Sequence, residues 1–512
     1  MRSPCSWACE TRTMAGRIDS EPAGAVDPDL SAFVDRFARD HRCVGLAVGV
    51  MRNGSPLTTF SRGVASLNDA RPVDQRSVFR AGSITKLFTG IAVMQLVENG
   101  ALDLDVAANS YLDRYQLRTP SGGSEITLRH LLTHTSGLGE LRKPSDVLRP
   151  MIGMAAKPGD PVPSLGEYYR PALTATAAAG NRWAYANHGF ATLGAIVEDI
   201  TGEAFAMRLR RTILEPLGMD RSAFDQIDGD LCDGHTRRFG RVRTVDHVEV
   251  IPSPAGSLYT CVDDMARFIA MVCGLGPQVL DRRLLDEMLT PQFRIHSGLP
   301  AMGLAFMIDD CGPYRMVMHD GGLPGMISHV RVAPDAGVGV VVFTNSASQR
   351  IGMEIASFGE DLAAISIGGT EPAPVADRRP ELWADMCGSY RLEPGLNVNA
   401  RSWALLGGEA EVVTCDGELK IRSFIGPLRT AHQLRPVDAE DPNVFAVEVG
   451  TLTVRIASGP DVLHVGYPLN ATLHRRSGSF RRRTRIAGVL AVTAAGVICA
   501  LSSRTRRRDR RS

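Results

Sequence analysis

The chain has 512 residues, 44% of them apolar, and 57 basic against 56 acidic side chains leave a formal net charge of +1. That length suits two or three domains with sizeable cores, and the charge balance excludes a general nucleic-acid binder. The ten cysteines fall singly, without a CxxC pair, which argues against a zinc ribbon or a disulfide-stapled scaffold and for free thiols in a reducing compartment.

Residues 1–25 are polar, broken by proline and lack an apolar leader core, so they read as a disordered N-terminus in which Met14 is a second candidate start. Asp27-Pro28 opens a helix that continues through Leu30, Phe33, Val34 and Phe37 at helical spacing. Residues 44–51 form a β-rich run, and Asn53-Gly54 turns it back into 57–60. A helix beginning at Ser83 carries Leu87, Ile91 and Met94 on one stripe and stops at Asn99-Gly100. Residues 110–264 read mainly as helix and loop. Strands return at 304–309, 314–319, 327–332 and 338–343, and a helix over 351–367 closes the unit. An α+β unit over 26–368 follows, its antiparallel sheet joining N- and C-terminal segments with a helical insert on one side.

A proline-rich linker, 369–380, leads to a second unit at 381–476. Its short alternating segments, 388–392, 410–415, 419–422, 444–449, 452–456 and 462–465, predict a small antiparallel barrel or sandwich. A basic linker at 477–485 and a basic tail at 504–512 flank the apolar run 486–503, which is about the minimum length for a bilayer span. A single-pass C-terminal membrane helix in contact with lipid is therefore expected. Both flanks are basic, so charge does not orient it; the lack of a leader favours a cytoplasmic hydrolase unit.

Three motifs carry chemistry. Ser83-Ile84-Thr85-Lys86 sets a hydroxyl and an amine one helical turn apart on one face. Only four of the 57 basic residues are lysine (Lys86, Lys143, Lys157, Lys420). Arginine could not replace Lys86, because a guanidinium keeps its proton whereas a desolvated amine can lose one and activate a serine. Ser83 also has a plain structural use as a helix N-cap. Tyr185-Ala186-Asn187 would aim a phenol and an amide into one pocket from an extended loop, although a buried tyrosine with a satisfied hydroxyl is commoner. His319-Asp320-Gly321-Gly322 follows a β-rich segment, where glycines allow close approach and offer N–H donors. His130 and His134 stand four apart, but without the glutamate of HExxH or a third ligand, so no metal is expected. No G-x-S-x-G elbow surrounds Ser83, which disfavours an α/β-hydrolase.

With SxxK, YxN and HxG in that order, the chain resembles the serine β-lactamase and penicillin-binding-protein superfamily, in the class C-like branch that includes family VIII carboxylesterases and D-aminopeptidase-like proteins. The stretches ITLRHLLTHTSGL (126–138), GFATLGAIVEDITG (189–202), EPLGM (215–219) and PAGSLYTCVDD (254–264) carry the same resemblance. It implies a β-lactamase/transpeptidase-like domain, an antiparallel sheet with a helical subdomain, followed by a small lipocalin-like β-domain. It implies further that Ser83 is the acylated nucleophile and Lys86 its proton-accepting partner. Tyr185 would be the general base and activate the deacylating water, Asn187, His319 and Gly321 would contact substrate, and the N–H groups of Ser83 and Gly322 would form the oxyanion hole. Serine β-lactamases carry a lysine where His319 stands, and an imidazole is a weaker anchor for a drug's carboxylate.

The expectation is a cofactor-free serine hydrolase acting through an acyl-enzyme on a small ester or amide (peptide) substrate. The alternatives are a penicillin-binding-protein-like D,D-peptidase or weak β-lactamase, and a catalytically silent binding protein of the same fold.

Overall fold

Strand Val338–Thr344 is buried along its whole length, which explains its continuous apolar run: it has neighbours in the sheet plane and layers on both faces. In the computed structural model, which describes residues 28–476 except 56, 121–122, 157–159, 226–228, 239, 370–375, 393–401, 404–405, 424, 451 and 468–469, this strand lies inside an eight-stranded sheet. Gly45–Met51 pairs with it on one side, Val48 opposite Val342, and Thr58–Gly63 lies beyond. Met326–Ala333 pairs on the other side, followed by Tyr314–Leu323, Met307–Cys311 and two short edge strands. The first and last parts of the unit thus share one antiparallel sheet.

Helices Pro28–Asp40 and Gln349–Ile367 cover one face, where Leu30, Val34 and Phe37 meet Ile351, Ile355, Phe358 and Leu362 over Val48, Val340 and Val342. Phe37 and Phe358 stack at 4.0 Å. The other face carries the helical subdomain around helix Thr85–Glu98. That helix departs from the single stripe expected of it. Eleven of its fourteen residues are buried, Lys86 among them, so it is a central helix surrounded on all sides. The hairpin Gly234–Arg238/Arg241–Val245 was not foreseen, because its arginines and threonines give no apolar alternation.

The second unit is a closed barrel of eight consecutive antiparallel strands from Gly388–Leu392 to Ala471–Arg475, sealed by Tyr390 opposite Arg475. Two of its strands, His432–Pro436 and Ala471–Arg475, are too polar to have stood out in the sequence. Its interior is filled by side chains, including Tyr390, Leu392, Ile421, Phe445, Ile456, Leu463 and Leu473. The expected membrane helix at 486–503 and the N-terminal segment 1–25 lie outside the described residues. Among the described residues no helix is long and apolar enough to cross a membrane.

One buried carboxyl gives this architecture a pH dependence. Asp361, on helix Gln349–Ile367, is pushed up from its ordinary 3.8 to about 7 by burial and by the neighbouring Glu360, against the pull of Arg331. The unfolded chain releases this proton near pH 4 and the folded chain only near 7, so this group lowers stability as pH rises between the two. Asp361→Asn should therefore melt at the same temperature as the parent near pH 4 and progressively higher up to pH 7–8. Equal melting temperatures throughout would contradict the assignment.

Candidate active site

The short strand Phe79–Gly82 delivers Ser83 to the entrance of helix Thr85–Glu98. Ser83 does not cap the helix: the N-cap position is Ile84, without a side-chain bond, and Thr85 Oγ1 donates instead to Gly82 O at 2.6 Å. The Ser83 hydroxyl faces Lys86, whose Nζ lies 2.9 Å from Ser83 Oγ, 2.7 Å from Asn187 Oδ1 and 2.7 Å from Ala255 O. Lys86 is fully buried, and its amine also stands 4.9 Å from the Tyr185 ring centroid. Burying an ammonium costs several kcal/mol, and hydrogen bonds to a charged group return about 1.5–3 kcal/mol each, so three of them suffice to hold the side chain here.

Each partner is positioned by its own element. Ala186 is extended, and Asn187 begins helix Asn187–Thr201, so the Tyr185 and Asn187 side chains leave the chain on either side of one extended residue. Asn187 Nδ2 contacts Met154 Sδ at 2.9 Å, leaving Oδ1 to Lys86. The next residue, His188, is buried and bonded to Tyr169 Oη at 2.8 Å; burial pushes its pKa down to about 4, so it anchors the helix as a neutral group. Ala255 reaches Lys86 because segment Ser253–Gly256 docks on the central helix, where Thr89 Oγ1 donates to Pro254 O and Leu258 N donates to Thr85 Oγ1.

His134 holds the tyrosine loop. Its carbonyl accepts from Ala184 N at 2.8 Å and its Nδ1 from Ala186 N at 3.1 Å, and its ring lies 4.4 Å from that of Tyr185. It does so from a left-handed backbone conformation, φ 58°. His130 instead takes part in a capping box with Thr127. The two histidines thus serve the backbone, and no metal-binding cluster occurs among the described residues.

His319, Gly321 and Gly322 all fall within strand Tyr314–Leu323, which continues past the end expected for it. His319 is buried, and its Nδ1 donates to Asp320 O at 2.6 Å; a carbonyl only accepts, so this nitrogen carries the proton. The two glycines differ. A Cβ at Gly321 would overlap the Ala81 carbonyl oxygen and Ser328 Oγ, whereas one at Gly322 would meet nothing within 4 Å. Gly321 lets the Ser83-bearing strand approach this one, and Gly322 presents open backbone to the cavity.

Ser83, Tyr185, Asn187, His319, Gly321 and Gly322 line one cavity of about 400 Å³, whose walls are mainly apolar, and Lys86 stands beneath it. The candidate residues of the three motifs are thus brought together, whereas His130 stays in its capping box. Ala255 and His134 were missed. The first acts through a carbonyl, which leaves no side-chain signal, and the second lies in a stretch whose spacing suggested only a weak metal motif. Tyr467 and Ser402, from the barrel, also line the cavity; nothing local in sequence could connect them to Ser83.

Three comparisons bear on this site. The chain matches the Beta-lactamase family profile over residues 30–356. It is 27% identical over 381 residues to esterase EstB of Burkholderia gladioli, covering 67% of this chain and 93% of that protein. It is 26% identical over 389 residues to penicillin-binding protein 4 of Amycolatopsis lactamdurans, covering 70% and 96%. Among solved structures, the octameric penicillin-binding protein homologue from Pyrococcus abyssi superposes with a TM-score of 0.58 at 21% identity, covering 87% of this chain and 99% of that one. SurE superposes at 0.57 and 23% identity, covering 88% and 98%. At these identities the structural matches speak to fold alone.

The glycine pair gives a test of the geometry. Gly321→Ala overpacks the junction, at a cost of about 1–3 kcal/mol, and should lower the melting temperature by at least about 2 °C. Gly322→Ala should leave it unchanged. Equal melting temperatures for the two variants would contradict the described apposition of strands.

Proposed function

Because the chain belongs to the β-lactamase family, in the superfamily of serine β-lactamases and penicillin-binding proteins, we propose that it is a serine hydrolase that cleaves esters through an acyl-enzyme on Ser83. The observation that carries this is the surrounding of Lys86 Nζ. Lys86 Nζ donates to Ser83 Oγ, Asn187 Oδ1 and Ala255 O. Asn187 Oδ1 and Ala255 O only accept, so they hold the nitrogen beside Ser83 when it gives up a proton and can take one from the serine hydroxyl. Ser83 attacks the substrate carbonyl as its proton passes to Lys86. The oxyanion is received by the N–H groups of Ser83 and Gly322. Tyr185, whose ring lies beside the Lys86 amine, gives its proton to the leaving alkoxide and as phenolate takes one from the deacylating water; when the acyl group departs, the proton held on Lys86 returns to Ser83. Asn187 and His319 contact the bound substrate, which lies against the open backbone of Gly322 beside Gly321. No step requires a cofactor.

Two features favour esters over β-lactams. The cavity walls are mainly apolar, and an imidazole whose Nδ1–H is committed to Asp320 O stands where a carboxylate-binding lysine would be needed. The similarity to penicillin-binding protein 4 supports a D,D-peptidase as the second reading.

A fluorophosphonate and a fluorescent penicillin separate the two. The protein should be labelled by the fluorophosphonate and weakly or not at all by the penicillin, and Ser83→Ala should abolish labelling and cut ester turnover by at least about a thousandfold. Lys86→Arg should be nearly as inactive, because it keeps the charge but cannot accept a proton. Labelling by neither reagent rejects the acyl-enzyme; strong labelling by both favours the peptidase.

A further inference from the structure

The cavity over Ser83 has a wall that comes from the other unit. Tyr467 lies in the connection between strands Val462–Val465 and Ala471–Arg475 of the barrel, lines the cavity, and packs into the cluster of Tyr185, Met302, Met307 and Met318. We propose that Tyr467 is a specificity-determining residue, by which the barrel closes the Tyr185 side of the cavity and restricts the enzyme to esters whose group on that side is small and uncharged; this rests on the Ser83 acyl-enzyme proposed above.

The placement of Tyr467 is built in by contacts on both sides of the connection. Arg455, on strand Leu452–Gly459, pairs with Asp309 at 2.6 Å, and Asp309 lies two residues beyond the cavity-lining Met307 on strand Met307–Cys311. Asp309 is buried and raises the pKa of Arg455, so the two ions hold each other. The carbonyl of the same Arg455 accepts from Gly466 N at 2.8 Å, immediately before Tyr467. Gly466 packs so closely that a Cβ there would stand 2.9 Å from Arg455 O, 3.4 Å from Leu299 and 3.5 Å from Pro300. Leu299 in turn joins Val444 and Ala457 of the barrel in a separate apolar cluster. Strand Met307–Cys311, the ion pair and the connection thus form one continuous attachment that ends at the phenol ring. The barrel's interior is occupied by its own side chains, so this wall, and not an internal ligand chamber, is its contribution to the site. Facing Trp183 and Met307, an aromatic ring suits an apolar group and gives no charge to recognise a carboxylate or an ammonium.

The test is the rate of Ser83 labelling by two alkyl fluorophosphonates, methyl and dodecyl, on the full chain. Tyr467→Ala should raise the dodecyl-to-methyl rate ratio by about tenfold or more over the parent. Tyr467→Leu, which keeps an apolar contact with less bulk, should raise it in the same direction, and Tyr467→Phe should match the parent. Arg455→Gln, which releases the attachment without touching the cavity, should also raise the ratio. Labelling that persists with an unchanged ratio in the alanine and leucine variants overturns the barrel wall alone. Absence of labelling by either probe in the parent overturns the acyl-enzyme and the wall together.

Discussion

The buried amine of Lys86 is the constraint on which the rest of the site depends. A fully enclosed ammonium or amine needs acceptors from several directions, and one local and two distant parts of the chain supply them: Ser83 one turn away, Asn187 at the start of its helix, and the Ala255 carbonyl. Satisfying the lysine therefore fixes the distance between the central helix, the tyrosine loop and the segment that docks at Pro254. The same contacts that make its burial tolerable aim it at the serine, so stability and chemistry share one set of hydrogen bonds.

A second constraint acts on the opposite wall. Strand Phe79–Gly82 can lie against the His319 strand only because Gly321 has no side chain there. Gly322 is then held beside Gly82, and the two candidate oxyanion donors, Ser83 and Gly322, come from neighbouring backbones. His134 completes the arrangement from a third direction by gripping the peptides on both sides of Tyr185. Loss of any one support would misplace a group of the proposed reaction without removing it, and a misplacement of about 1 Å can cost about a hundredfold in rate.

Much of this was legible in the chain because the chemistry is local in type, if not in sequence. The scarcity of lysine drew attention to Lys86, helical spacing joined it to Ser83, and the apolar runs at 44–51 and 338–343 located the central strands. What escaped shares a cause. The Ala255 carbonyl, the His134 backbone grip and the barrel's Tyr467 act through main-chain atoms or across long separations, which residue types and periodicity do not encode. The central helix was expected to bury one stripe, Leu87, Ile91 and Met94; in the fold Thr85, Thr89 and Gly90 are buried as well, with the threonine hydroxyls bonded to nearby carbonyls. The barrel strands His432–Pro436 and Ala471–Arg475 were hidden for the converse reason, since only Leu434 in the first and Ala471 and Leu473 in the second join the apolar interior, and mostly polar residues fill the rest of their ladders.

The proposed hydrolysis passes through an ester on Ser83. Rapid acid quenching during turnover of an activated short-chain ester, followed by intact-protein and peptide mass spectrometry, tests it most directly. The expected result is a mass increase of one acyl group, mapped to the peptide containing Ser83 and absent from Ser83→Ala. Turnover that survives in Ser83→Ala, or an acyl group mapped to a different residue, would contradict it.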